Sequence, residues 1–140
     1  MRKKQLPGDR LTDGDYQTLA AIRLALRRFM HFSENAAKSA GLTPQQHQAL
    51  LTIRAAPEKV LAIGELAELL VIQPHTASEL VDRLGIIGLV QRQPDEKDRR
   101  MMKLHLTPAA EETLLSLSVA HRTELRRLRP LLGALLSKLE

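Results

Sequence analysis

Two short helical segments meet at a tight junction, a charged hairpin follows them, and longer helices flank the group; this order predicts a winged helix-turn-helix, mainly α with a small β-hairpin wing. Three observations carry the expectation. Apolar residues recur at helical spacing in "IGELAELL" and again in "PHTASELVDRL", with only "VIQ" between them. Behind them, six consecutive charges, "DEKDRR" at 95–100, lead into an every-second-residue pattern, Met102, Leu104 and Leu106. The apolar content is Leu, Ile, Val and Ala, with only Tyr16, Phe29 and Phe32 aromatic, which suits packed helices.

Each element has its own signals. Residues 1–12 read as a flexible basic arm, because "MRKKQLPGDR" is charged and no apolar run follows it. A first helix starts at Thr12 or Asp13, shows Tyr16, Leu19, Ile22, Leu26, Phe29 and Met30 at helical spacing, and stops at Gly41. In "LTPQQHQALLTIRAAP", Thr43 is placed to cap a second helix, Pro44 suits its first turn and Gln46 completes a capping box; the helix ends near Ala55. A short extended piece and a third helix, about Glu65 to Leu70, come next. Pro74 opens a fourth, whose apolar face is Ala77, Leu80, Val81 and Leu84 and which Gly88 closes. Gly85 falls inside that helix, so a bend near its end is expected. "LVQRQ" and "MKLHL" read as the strands of the hairpin, and Thr107-Pro108 as the start of a long last helix with Leu114, Leu117, His121, Leu125 and Leu128 in a stripe. Pro130 is expected to break or kink it before "LLGALLSKLE".

At 140 residues the chain is read as one domain. No cysteine is present, which excludes disulfides, thiolate metal sites and a cysteine redox switch, and fits a cytoplasmic protein. No apolar run approaches the roughly 20 residues of a membrane span. The five histidines form no close His-x-x-x-His pair, so no metal site is expected. Gly-rich phosphate loops, a nucleophile elbow and paired carboxylates are all missing, so no enzyme and no cofactor is expected. The net charge is +5, yet residues 58–100 alone sum to −2. A polyanion partner in that stretch must therefore be argued from placed residues, not bulk charge.

"IGELAELLVIQPHTASELVDRL" followed by "GLVQRQPDEKDRRMMKLHLTP" resembles the MarR family of bacterial transcriptional regulators. "DRRMMKLHLT" carries the most specific part: Asp98, Arg100, Leu104, Leu106 and Thr107 match the family's wing pattern, after a helix-turn-helix and before a Thr-Pro helix start. The resemblance implies one MarR-type domain over 1–140, with residues 13–56 and 108–140 as dimerisation helices and 57–107 as the DNA-binding lobe. It implies a homodimer whose N- and C-terminal helices interleave, with Leu19, Leu125, Leu128, Leu131, Leu132, Leu135 and Leu136 at the interface. The fourth helix would enter the major groove of a pseudo-palindromic operator and the wing an adjacent minor groove. A small aromatic acid would relieve repression from a pocket near Phe29, Met30, His31 and His47, paired with Arg23 or Arg54.

The residues themselves agree on several points. On a helical wheel centred on Ala77, His75, Glu79 and Asp82 face away, flanked by Thr76, Ser78 and Arg83. Gln73, His75, Thr76 and Ser78 give the short donors and acceptors that the N-terminal end of a recognition helix presents to bases, Glu79 can accept from a cytosine amino group, and Arg83 can reach a phosphate. At the wing, a cation suits a narrow, negative minor groove. Asp98 is placed to orient Arg100 through a carboxylate–guanidinium pair, with Arg99 turned toward a phosphate. Asp95 and Glu96 find no role in this picture. On charge alone "DEKDRR" is an ordinary solvated hairpin tip, and the −2 of residues 58–100 suits a second reading: a winged-helix dimer that binds proteins without binding DNA.

Overall fold

The structure, a computed structural model, describes residues 10–139; most of the expected basic arm, residues 1–9, and Glu140 lie outside the described residues. The order is α1 (Asp13–Ser39), α2 (Pro44–Ala55), β1 (Leu61–Ala62), α3 (Ile63–Leu70), α4 (Pro74–Ile86), β2 (Val90–Pro94), β3 (Met102–Leu106) and α5 (Pro108–Leu136). The described residues form two compact units, residues 33–120 and residues 10–32 with 121–139.

Helix starts follow the local chemistry of the sequence. Thr12 caps α1: its Oγ1 accepts from the Asp15 N–H at 3.1 Å while Asp15 Oδ2 accepts from the Thr12 N–H at 2.9 Å. Thr43 and Gln46 form the same reciprocal pair at α2, at 3.1 and 3.0 Å, with Pro44 in the first turn. α3 begins two residues earlier than its sequence suggests, at Ile63. Glu65 Oε1 reaches back to the Ala62 N–H at 3.2 Å, so an acid at the third helical position supports a start that lacks a Ser, Thr, Asp or Asn cap. Gly85 lies in the last turn of α4, one residue from its end, and a side chain there would meet nothing closer than the Val90 carbonyl at 3.9 Å.

The expected hairpin is part of a three-stranded antiparallel sheet in the order β1-β3-β2. The two residues Leu61 and Ala62 pair with Leu104 and Lys103. In the hairpin, Val90 faces Leu106, Gln91 faces His105, Arg92 faces Leu104 and Gln93 faces Lys103. Opposed residues share a face of the sheet. One face therefore carries Leu61, Val90, Leu104 and Leu106 toward the core, and the other carries Gln91, Gln93, Lys103 and His105. His105 Nε2 and Gln91 Oε1 are 3.1 Å apart on that outer face.

The core of residues 33–120 joins α2, α3, α4 and the sheet through Leu50, Ile53, Leu66, Val81, Leu84 and Leu104, the largest fully buried side chains. Burying each stabilises the unit by about 1.5–3 kcal/mol relative to exposure. Ala110, Leu114 and Leu117 of α5 complete it. Thr107 ties wing to helix: its buried hydroxyl donates to the Gly88 carbonyl at 2.7 Å and accepts from the Ala110 N–H at 3.2 Å.

In the helical unit, α1 buries Thr18 and Ala25, not the leucine stripe; Ile22 and Phe29 are half-buried, while Tyr16, Leu19, Leu26 and Met30 are exposed. Phe29 and Phe32 meet the His121 ring edge-on, at centroid distances of 5.9 and 5.4 Å. Pro130 does not break α5, which is helical from Pro108 through Leu136. A proline interior to a helix removes one N–H donor but does not force an end when the flanking residues favour helix, as "LLGALL" does.

Candidate nucleic-acid interface

Burial of Ala77, Leu80, Val81 and Leu84 fixes the rotation of α4. The rotation leaves Gln73, His75, Glu79, Asp82 and Arg83 exposed or nearly so, with Thr76 and Ser78 half-buried beside them. These side chains form one polar surface running from the start of the helix to its last turn. Next to it, Thr43, Gln45 and Gln46 of α2 and Thr76, Glu79 and Arg83 of α4 line an open groove of about 350 Å³. The α2 residues were not part of the sequence-based site, because only folding brings the start of α2 beside α4.

The junction between α3 and α4 is built on Val71. Its N–H donates to the Glu68 carbonyl at 3.2 Å, and the Ile72 N–H to the Ala67 carbonyl at 3.0 Å, closing the left-handed turn that ends a helix. The same pair of bonds ends α1 at Gly41 and α4 at Gly88, where φ is +79° and +76°. Val71 takes φ +56° and ψ +49° with a β-branched side chain. No turn residue marks the junction, so only the gap between two periodic runs betrays it in the sequence.

The wing tip is closed by the Asp95 N–H donating to the Met101 carbonyl at 2.8 Å and the Met101 N–H donating to the Asp98 carbonyl at 2.9 Å. Asp98 Oδ1 accepts from the Arg100 N–H at 3.1 Å and lies 3.4 Å from Arg100 Nε. One carboxylate therefore holds both the backbone and the guanidinium of Arg100, whose side chain remains 94% exposed. Asp95 shapes the turn locally, since its Oδ1 accepts from the Lys97 N–H at 3.3 Å. Arg99 and Glu96 are exposed at the tip.

Arg92 is a further residue that sequence reasoning missed. Its Nη2 donates to Asp82 Oδ1, so β2 is tied to the exposed side of α4. The signal was present in the strand pattern, since position 92 shares a face with Val90, but an acid ten residues away does not reveal its partner.

The side chains suggested for a small ligand are distributed over both units. Arg23, Phe29, Met30 and His31 belong to the helical unit, where Arg23, Met30 and His31 are exposed and Phe29 packs on His121. His47 and Arg54 belong to residues 33–120, where His47 is buried and Arg54 Nε donates to Glu111 Oε2 at 2.9 Å. Of the leucines assigned to a dimer interface, Leu135 is buried within the single chain, Leu128 and Leu132 are half-buried, and Leu19, Leu125, Leu131 and Leu136 are exposed. Among the described residues no cluster of three His, Asp or Glu could hold a metal ion, and no helix is long and apolar enough to cross a membrane.

Two helices meeting at a tight turn, the second with an exposed polar face, and a charged hairpin tied to that face define a winged helix-turn-helix protein. In sequence, residues 40–101 match the model of the MarR family. A Bacillus subtilis (strain 168) protein described as the uncharacterized HTH-type transcriptional regulator YsmB is 32% identical over 66 residues, 47% of this chain; the match spans under half, 45%, of that relative. A probable transcriptional regulator from Pseudomonas aeruginosa superposes with a TM-score of 0.62 at 29% identity, over 84% of this chain and 92% of its own. Sco3205 of Streptomyces coelicolor, a MarR family transcriptional regulator crystallised in complex with DNA, shares the fold with a TM-score of 0.67 at 21% identity, over 91% of this chain and 78% of its own.

Proposed function

We propose that the protein is a sequence-specific DNA-binding transcription regulator that acts as a homodimer. The observation that carries this reading is the Asp98–Arg100 arrangement. A surface acid–base pair on a hairpin tip contributes little to folding, yet here one carboxylate fixes the main chain and the side chain of an arginine left 94% exposed. A long cation presented to solvent at the wing tip suits a polyanion in front of it. The DNA-bound relative of the same fold supports the same reading. On this proposal, Gln73, His75, Thr76, Ser78 and Glu79 meet base edges in the major groove, Arg83 and Arg99 meet phosphates, and Arg100 enters the minor groove, held there by Asp98.

Replacing Arg100 and His75 tests it. Arg100→Ala weakens binding to operator and random duplex alike and makes the salt slope shallower by about one unit. His75→Ala costs about 1–3 kcal/mol on the operator and little on random duplex. Asp98→Ala is a milder Arg100→Ala. Titration of the three variants against both duplexes at several salt concentrations reads the outcome. Unchanged affinities in Arg100→Ala would move the reading to a protein-interaction module, which the −2 of residues 58–100 otherwise favours. Repression relieved by a small aromatic acid belongs to the same proposal. Arg54 could receive the acid only by releasing Glu111, so Glu111→Gln should tighten binding of salicylate in calorimetry; no heat with either protein counts against an acid ligand.

A further inference from the structure

The positive charge of this protein is not where the recognition helix and wing are. Residues 33–120, which contain both, carry nine Lys/Arg against eleven Asp/Glu, a net of −2. The described residues of the helical unit, 10–32 and 121–139, carry nine Lys/Arg against three Asp/Glu, a net of +6, and eight of those nine cations are arginine. Arg127 is paired with Glu124 at 3.3 Å. Arg23, Arg27, Arg28, Arg122, Arg126 and Arg129 are exposed, and among the described residues none has an ion-pair partner.

Their placement is regular. Arg122, Arg126 and Arg129 stand at i, i+4 and i+7 on α5, one face of the helix, with axial offsets of about 6 and 10.5 Å. The packed side of the same helix, half-buried His121, Leu128 and Leu132 with buried Leu135, is centred roughly a third of a turn away by the 3.6-residue repeat. The stripe is thus held outward by packing on another side. Arg23 and Arg27 repeat the i, i+4 spacing on α1.

We infer that this arginine-rich surface of the helical unit binds the sugar–phosphate backbone of a second duplex segment, distinct from the one read by α4 and the wing. The inference rests on the DNA-binding reading above. Charge complementarity selects a polyanion and excludes a second copy of the stripe, since like charges repel. Within polyanions, the choice of arginine over lysine fits phosphate, whose oxygens take the guanidinium fork in two parallel bonds. Phosphates recur every ~3.4 Å along the axis of one strand, so flexible arginine stems spaced along ~10 Å of helix can engage several at once. An acidic protein partner would in addition call for aromatic anchors, and the Arg122–Arg126–Arg129 stripe has none; the exposed leucines at its edge, Leu125 and Leu136, are those assigned to the contact between copies. A regulator with two such surfaces bridges DNA segments.

The test uses the full chain and two labelled duplexes, one found by selection on the intact protein and one of random sequence. Wild type at low salt should bring the two labels into energy-transfer range. The triple variant Arg122→Gln, Arg126→Gln, Arg129→Gln should lose bridging at least tenfold and make the salt slope on random duplex shallower by up to about 2.7 per chain, at ~0.9 per phosphate contact. Its titration of the selected duplex should keep its sequence discrimination. The His75→Ala, Arg100→Ala double variant should lose discrimination and still capture random duplex. If selection returns no preferred sequence, the regulator reading fails while the slope measurement still decides this one. Bridging and slope unchanged in the triple variant would overturn the inference. So would a triple variant that sediments as a different oligomer, which would place the arginines in a contact between copies, or competition by polyglutamate that random duplex cannot match.

Discussion

Val71 occupies the position that glycine takes at the ends of α1 and α4, and it does so 90% exposed, with no packing to hold it there. A left-handed conformation costs an L-residue about 1–2 kcal/mol, whereas glycine loses ~0.5–1 kcal/mol through its freer unfolded chain. Val71→Gly should therefore raise stability by roughly 0.5–1 kcal/mol, by the difference of those two terms. A urea midpoint that moves up with an unchanged slope is the expected result; a lower midpoint would mean that the valine is favoured by a contact in the folded protein. Thr107 gives the opposite case. Its hydroxyl serves two partners in a buried place, and Thr107→Val keeps the shape but orphans the Gly88 carbonyl. A loss of about 1–3 kcal/mol is expected in the same measurement.

Between elements, the exposed pair Asp82–Arg92 joins α4 to the wing. Both side chains are solvent-accessible, so the pair should contribute only about 0–1 kcal/mol to folding. Its expected value lies in fixing the wing against α4, which matters under the DNA-binding proposal, where both meet one duplex. A double-mutant cycle of Asp82→Ala and Arg92→Ala should show a larger coupling energy in operator titration than in urea; equal couplings would make the pair merely structural. How far this arrangement was legible varies with the physics involved. Helix starts at Thr12, Thr43 and Thr107 and the paired Asp98 and Arg100 are local, two or three residues apart, and the sequence shows them. The Arg92 partner, the third strand from Leu61 and Ala62, and the groove between α2 and α4 depend on contacts between distant segments. Two residues of strand are too few for periodicity to register. The Pro130 break failed for a different reason: a local rule was outweighed by the helix-favouring residues on either side.

At the scale of the whole molecule, the chain leaves more apolar surface than a lone copy should. Tyr16, Leu19, Leu26 and Met30 on α1 and Leu125, Leu131 and Leu136 on α5 are all exposed, and all belong to the helical unit. Such groups mark an association surface, and a second copy of the same unit is the partner that the dimer proposal supplies. Each copy also carries the +6 of residues 10–32 and 121–139. Apolar burial then has to overcome like-charge repulsion, which salt screens, with a Debye length of about 10 Å at 0.1 M and about 3 Å at 1 M. Raising salt should therefore tighten the dimer while it weakens DNA binding, two opposite slopes from one charge distribution. Ending the chain after Leu128 removes Leu131, Leu132, Leu135 and Leu136 together and should give monomer or insoluble protein. Sedimentation of the intact and shortened chains from about 0.05 to about 0.5 M salt, a range set by that screening, measures both effects. A stable dimer that survives the cut would show that the C-terminal leucines are not the contact, and a dimer that loosens as salt rises would show that ion pairs, not apolar side chains, hold the copies together.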